Sequence, residues 1–412
     1  MKRIEKISDL SQSLAIIDNI RNLRTGTISS IDIPNYEIQI NSFNKGIYFT
    51  LTHNEPFFKY ETWEFRDLVI EKNKLKIKVP YLFINKKTGG FAKGKIPSIE
   101  YGQFDKNQSL YHRLALPVNR KLNFTFSVQN ILLDYKYESV IHTREAAEVN
   151  LENKTFRLFS AKKNITKKSD RDYLIIECTA PLNYNVFAEY CFSILISFGY
   201  LSGDFINDDG YFVQYKKNNM TEVIGLAYRQ MRGTIKCHYV PTHSNPYSYI
   251  HDQKISELYE KKVRVVSSEE FSKLCEICFK NSDVRTVLLL LIEVHTQSLA
   301  SGPAILSIAL ETLVKVIYEE NKETLAPIKD KKIAKKLRKS LLGELGKFKD
   351  EIGEEGVKII STRINQINQR TNREKLLSPF SILDIPITSK DIEAIEQRNA
   401  FLHGRTPMVK DI

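Results

Sequence analysis

Near residue 250 the spacing of apolar side chains changes from two to about 3.6, and this change constrains the fold more than any other feature. From about residue 25 to 245 the chain is made of short runs such as "YEIQINSF", "GIYFTLTH", "DLVIEKNKLKIKVPYLFI", "KLNFTFSVQNILL", "KTFRLFSA" and "RDYLIIECT". They are rich in Ile, Val, Phe, Tyr and Thr, and Gly, Asn, Asp and Pro recur between them. Such side chains fit a pleated, half-buried surface, so an antiparallel sandwich or open barrel is expected. One helix interrupts the strands. "YNVFAEYCFSILISFGYLSG" carries apolar residues at helical spacing from Val186 to Leu201 and stops near Gly203, which predicts a helix over about 184–202 that plugs the sheet.

After "HYVPTHSNPYSYIHDQ", where Pro, Ser and His crowd together, the pattern is helical. A chain of 412 residues exceeds what one core usually fills. The reading is therefore an α+β multidomain protein: a β-rich domain over 1–250 and an all-α domain over 251–412. "SSEEFSKLCEICFKNSDVRTVLLLLIEVHTQSLA" reads as one or two helices, opened by the capping box Ser267–Glu270. In the next helix Ser301 is the expected cap and Pro303 lies in the first turn, with Ile305, Ile308, Leu310, Leu313 and Ile317 on the core side. Two more polar helices follow, with breaks expected at Gly343, Gly346, Gly353 or Gly356, and the last begins at Thr388 with Asp391 as its capping partner.

Lys and Arg outnumber Asp and Glu by 61 to 49, a net charge of +12 that favours a polyanionic partner. The opening segment is interrupted by Asp9, Ser11 and Asp18 and lacks the apolar run of a signal peptide, and the stretches Cys191 to Leu201 and Val287 to Val294 are too short to span a bilayer. A cytoplasmic protein without membrane spans is expected. Five cysteines make no disulfide framework. Cys275 and Cys278 form a C-x-x-C, with Cys237 and His238 as the only nearby further ligands; buried thiols are favoured over zinc, and no metal or cofactor is expected.

Two motifs are decoys. Gly89, Gly94 and Lys95 satisfy G-x-x-x-x-G-K, but Ile96 and Pro97 stand where a hydroxyl and a helix start are needed, so a hairpin turn explains the glycines. Arg232 and His238 in "RGTIKCH" lie on a segment that reads as strand, which shows that an Arg–His spacing alone arises by accident.

"EQRNAFLHGRTP", residues 396–407, has the context that those lack. Ile392, Ile395 and Leu402 mark one helix face, Gly404 suits the position after a helix, and Pro407 prevents continuation. Asn399 and His403 fall about 40° apart on a helical wheel and Arg398 about 140° from His403. A helix C-terminus favours the imidazolium. Histidine, arginine and amide suit RNA cleavage by the neighbouring 2′-hydroxyl, which needs two proton transfers and positive charge on the phosphorane. Arginine grips phosphate with two donors, and no metal is required. Since one histidine serves two proton steps poorly, two copies of the helix across a homodimer would meet the need.

R-N-x-x-x-H, with Arg398, Asn399 and His403 closing the last helix of a bundle, resembles the motif of HEPN-domain proteins, many of them metal-independent endoribonucleases. The resemblance spans roughly residues 265 to 410. It implies a homodimer through the C-terminal helical domain with both motifs at one cleft, and products with 2′,3′-cyclic phosphate and 5′-hydroxyl ends. "ILSIALETL" resembles the earlier bundle helix that bears an acidic residue, which implies that Glu311 orients Arg398 or His403; a solvated Glu311 is the plain alternative. A long β-rich part before a terminal HEPN domain is similar to the ApeA-like abortive-infection proteins of bacteria. That likeness implies an N-terminal domain that senses a phage-derived activator or restrains the nuclease.

For RNA, Lys331, Lys332, Lys335, Lys336, Arg338 and Lys339 crowd one helix, and Arg363, Arg370 and Arg373 stand among Asn and Gln beyond it. A solvated face is the alternative for the lysines. For the motif it is a helix end where Arg398 pairs with a carboxylate and His403 caps carbonyls. A non-catalytic HEPN module that binds RNA or a partner is the runner-up function, and a scaffold with a dimerising tail the third.

Overall fold

The computed structural model describes residues 10–23, 25–29, 36–43, 46–52, 64–72, 75–88, 91–118, 141–166, 169–207, 209–231, 235–236, 266–298 and 301–397. The chain forms two compact units, 1–281 and 282–412.

The first unit runs α1 (Ser11–Arg21), β1 (Thr25–Ser29), β2 (Tyr36–Phe43), β3 (Gly46–Thr52), β4 (Glu64–Lys72), β5 (Leu75–Thr88), β6 (Phe91–Ile96), β7 (Ser98–Gly102), β8 (Tyr111–Val118), β9 (Ile141–Leu151), β10 (Lys154–Thr166) and β11 (Ser169–Cys178). It continues with α2 (Tyr184–Ser202), β12 (Asp204–Phe205), β13 (Asp209–Tyr215), β14 (Val223–Gln230), β15 (Ile235–Lys236) and α3 (Ser268–Lys280). β1 to β6 pair in the order β4-β1-β2-β3-β6-β5, and β5 returns to β4, so six antiparallel strands close on themselves. Closure removes the unpaired edges that an open sheet would carry. At Pro97, between β6 and β7, the chain changes neighbours: β6 pairs with β3, β7 with β14. From there an open antiparallel sheet continues in the order β7-β14-β13-β8-β11-β10-β9. The β region thus combines a closed ring with an open sheet, where an antiparallel sandwich or an open barrel was expected.

Strand alternation gives the open sheet two buried faces. Ala115, Phe159, Tyr173, Ile175, Tyr211, Val213 and Tyr215 share one core with the ring interior (Ile38, Phe49, Ile70, Val79) and with α1. Helix α1 has no side-chain cap at Leu10. What holds it is burial of Leu14, Ile17 and Ile20, each at 1% exposure or less; such burial contributes about 2 kcal/mol per side chain. This charged opening segment gave no hint of a core helix.

The opposite face receives α2. Asn183 caps it by accepting from Val186 N at 3.0 Å, and Gly203 ends it at φ 75°, where a side chain would be strained. The expected span of 184–202 is the observed one. Phe187 stacks on His112 at 5.0 Å and meets Phe212 edge-on at 6.4 Å. At Gly199 the helix lies so close to β12 that a Cβ would stand 2.9 Å from Phe205.

Helix α3 opens with the expected capping box of Ser267 and Glu270. It packs on β9 and α2: Ser272 Oγ accepts from Asn150 N at 3.1 Å, and Phe279 stacks on Tyr190 at 4.3 Å. The helix therefore belongs to the β-rich unit, and the division falls at Asn281/Ser282 rather than at the change of period near 250, because α3 buries Phe271, Cys275 and Cys278 and packs on β9 and α2. Residues 237–265, around that change, lie outside the described residues.

The second unit is helical: α4 (Ser282–Glu293), a 3-10 turn (Val294–Thr296), α5 (Gly302–Glu320), α6 (Lys322–Leu325), α7 (Lys331–Gly346), α8 (Lys349–Asn365), α9 (Asn372–Ile382) and α10 (Ser389–Glu396). An antiparallel β region is thus followed by a helical one, as the change of period predicts. Helix α4 packs on α5, α7 on α8, and α9 on both α5 and α10. The buried face of α5 is rotated from the expected one: Ser307, Ala309, Val314 and Tyr318 are buried, while Leu306 and Ile308 are exposed. Ser301 makes no side-chain cap. Of the four glycines, Gly346 ends α7 and Gly353, at φ 77°, breaks the helical path of α8. No helix among the described residues is long and apolar enough to cross a membrane.

Candidate functional site

Helix α10 carries the chain to the R-N-x-x-x-H segment, and its entry is built with care. Thr388 accepts from Asp391 N at 3.3 Å, while the Asp391 carboxylate accepts from Thr388 N and from its hydroxyl, both at 2.7 Å. Those two bonds, the backbone one first, hold the Asp391 carboxyl below its usual range. Seven residues into the helix, Ile395 is buried with Val314 of α5 and Leu376 of α9, flanked by Leu310, Leu377 and Phe380. At its end Glu396 pairs with Arg373 of α9. The description stops at Gln397. Arg398, Asn399 and His403 lie outside the described residues.

Glu311 is half-buried on α5. On a helical wheel it sits about 60° from Val314 and about 100° from Leu310, so it borders the strip of α5 that packs against Ile395.

Arg370, just before α9, and Arg373, in its first turn, have protein partners. Arg370 Nε donates to the Leu325 carbonyl at 2.8 Å, and Arg373 is the partner of Glu396. The helix starts with a capping box of Thr371 and Glu374, a signal the sequence reading passed over. Lys335, Lys336 and Arg338 are exposed on α7, whose N-terminus is capped by Asp330 accepting from Lys332 N at 2.7 Å. Arg363 is exposed on α8. Arg370 and Arg373 thus stand at the start of α9, while the lysine group and Arg363 belong to the α7–α8 pair.

Cys275 and Cys278 are both buried, and burial pushes the Cys275 thiol up. Among the described residues no group of three His, Cys, Asp or Glu is placed to hold a metal ion. Gly94 and Lys95 lie on strand β6, which pairs with β5 as a hairpin, not at a helix start. Ile235–Lys236 is a short strand, as expected for that segment; Arg232 and His238 lie outside the described residues.

Two residues of the β-rich unit escaped the sequence reading. In "YHRLALPV" of β8, His112 and Arg113 are both fully buried on opposite faces of the sheet. Arg113 donates to Glu177, Tyr215 and Ser13 at 2.9, 2.9 and 3.3 Å. Two titratable residues inside an otherwise apolar strand were the available signal.

No protein-family model matches the chain, and neither curated proteins nor solved structures yield a match.

Proposed function

We propose that the protein is a metal-independent endoribonuclease whose reactive groups are Arg398, Asn399 and His403, with Glu311 as the acid that orients them. The reading is supported by one structural observation above all: a capped helix, buried through Ile395 against α5 and α9, leads directly into the R-N-x-x-x-H segment. A segment fixed that way at its start can present side chains in a set geometry, which proton transfer to and from RNA oxygens demands. His403 exchanges the protons of the 2′-hydroxyl and the 5′-oxygen, Arg398 neutralises the phosphorane, and Asn399 hydrogen-bonds beside them. Two copies of the helix, one per protomer of a homodimer, supply the second histidine. The reaction leaves 2′,3′-cyclic phosphate and 5′-hydroxyl ends.

The biological setting in this reading is bacterial abortive infection, with the β-rich unit as the part that answers a phage-derived activator. The test is end-group analysis of cellular RNA after induction of the wild type and of His403→Ala. New cyclic-phosphate ends in the wild type alone, formed also in excess EDTA, support the nuclease. An RNA that is bound and never cut under activating conditions would transfer the reading to the non-catalytic binding module.

A further inference from the structure

Strand alternation in the closed ring buries every second residue and turns the others outward. On β6, Ala92, Gly94 and Ile96 are buried, which leaves Phe91, Lys93 and Lys95 on the outer face. Pairing with β3 sets Lys95 opposite Tyr48, Lys93 opposite Thr50 and Phe91 opposite Thr52. Strand β2 continues the rows with Asn41, Gln39 and Glu37, all exposed.

The chemistry of this face is selective. Tyr48 and Phe91 are partly exposed, and a lysine lies over each ring: Lys93 Nζ is 5.3 Å from the centre of Phe91, and Lys95 Nζ is 5.4 Å from that of Tyr48. Neither lysine has a carboxylate partner among the described residues. Glu37 is the only acid among the outward residues of the three rows, and the rest are uncharged hydrogen-bonding groups. Two rings and two cations thus share a strip that runs from Tyr48 to the level of Thr52, about 14 Å at about 3.4 Å per residue.

Single-stranded nucleic acid has the matching chemistry. Its bases offer π-faces that stack on aromatic side chains, and its phosphates pair with the cations between them, so such a face holds a strand with little regard to sequence. The strip is as long as about four bases stacked at about 3.4 Å. A duplex keeps its bases stacked on one another and cannot use the rings, and an acidic protein segment would use the lysines alone. We propose that the outer face of β3 and β6 is a binding site for single-stranded nucleic acid, in which Tyr48 and Phe91 stack on bases while Lys93 and Lys95 leave the rings to meet phosphates. The site involves the first unit alone and stands whether or not the protein cuts RNA. Lys95, which completes the G-x-x-x-x-G-K pattern, then contacts phosphate from a strand and not from a phosphate-cradling loop.

Fluorescence anisotropy of the full chain with a labelled oligodeoxythymidine of about twelve nucleotides tests it, a length within the usual site size of such faces. DNA has no 2′-hydroxyl and is not cut; an oligouridine of the same length, on His403→Ala, tells RNA from DNA, and binding of either supports the site. Tyr48→Leu/Phe91→Leu keeps apolar bulk but removes the π-faces, and is expected to bind at least tenfold more weakly at an unchanged urea midpoint. Lys93→Gln/Lys95→Gln is expected to lower the slope of log affinity against log salt by about 1.4, as for two phosphate contacts on a single strand. In Phe91→Trp the strand should quench the new fluorescence beyond any quenching of the chain's own single tryptophan. If the leucine pair lowers the urea midpoint, that quenching and the salt slope decide. A wild type that binds neither strand, a duplex of equal length that competes equally, an unweakened leucine pair or an unchanged salt slope in the glutamine pair overturns the proposal. RNA ends are not read here, so failure of the nuclease reading and failure of this one are separate results.

Discussion

Arg113 donates to Glu177 on the neighbouring strand, Nη2 to Oε2 at 2.9 Å, and neither side chain touches water. The pair sits on the face covered by α1, whose Ser13 accepts a third bond from the same guanidinium. A buried pair is costly to desolvate but costlier to break, since removing one partner strands a charge in a low dielectric.

Glu177→Ala or Arg113→Ala is therefore expected to destabilise the β-rich unit by about 3–5 kcal/mol, read as a lowered urea midpoint. Replacing both together, as Arg113→Met/Glu177→Leu, should recover most of that loss, because no charge is then left unpaired. If the double variant is as unstable as the singles, Arg113 acts chiefly through Tyr215 and Ser13 rather than through Glu177.

Acid should weaken the same unit through His112. Its Nε2 donates to the Leu182 carbonyl at 2.8 Å, while Nδ1 is buried without a hydrogen-bond partner among the described residues. Burial, opposed in part by the bond to Leu182, lowers its pKa from 6.5 to about 4. The folded chain thus keeps His112 neutral where the unfolded chain binds a proton, so its contribution is fully present above pH 6.5 and is lost as pH falls towards 4. Between pH 7 and 5 the loss is about 2 kcal/mol. His112→Gln should flatten that part of the profile of urea midpoint against pH; an unchanged slope would assign the acid sensitivity to other groups.

The elements that proved legible were those whose cause is local. The span of α2 follows from its own periodicity and from Asn183 and Gly203 at its ends, and the caps at Ser267 and Thr388 are two-residue chemistry. What could not be read depends on distant partners. Helix α1 has no cap and exists because the ring and sheet bury Leu14, Ile17 and Ile20. The allegiance of α3 was hidden for the same reason, since Ser272 and Phe279 find Asn150 and Tyr190 more than 80 residues away in sequence. Of the candidate site, Glu311 is half-buried on α5, Arg370 and Arg373 have partners that spacing could not reveal, and Arg398, Asn399 and His403 lie outside the described residues.

If the R-N-x-x-x-H segment is reactive, its presentation depends on the start of α10. Losing an N-cap side chain costs a helix about 1 kcal/mol. Thr388→Ala is expected to slow RNA cleavage several-fold with substrate affinity little changed, and Thr388→Ser, which keeps the hydroxyl, to retain wild-type rates. Equal losses in both variants would mean that the methyl group, not the cap, is what matters there.

Arg373 offers a sharper division between holding the fold and holding RNA. Its partner Glu396 stands two residues before Arg398, so the ion pair ties α9 to the end of the helix that enters the candidate motif. If that tie is its role, Arg373→Glu and Glu396→Arg should each reduce cleavage, and Arg373→Glu/Glu396→Arg should restore it, because the exchanged pair closes the same contact with its charges reversed. A guanidinium that grips a phosphate cannot be rescued this way: the double variant would carry a carboxylate where RNA needs a cation and would stay as weak as Arg373→Glu, with the defect appearing in KM and shrinking as salt screens it. Cleavage rates of the four proteins at two salt concentrations decide between the roles, and the rescued outcome is the one expected.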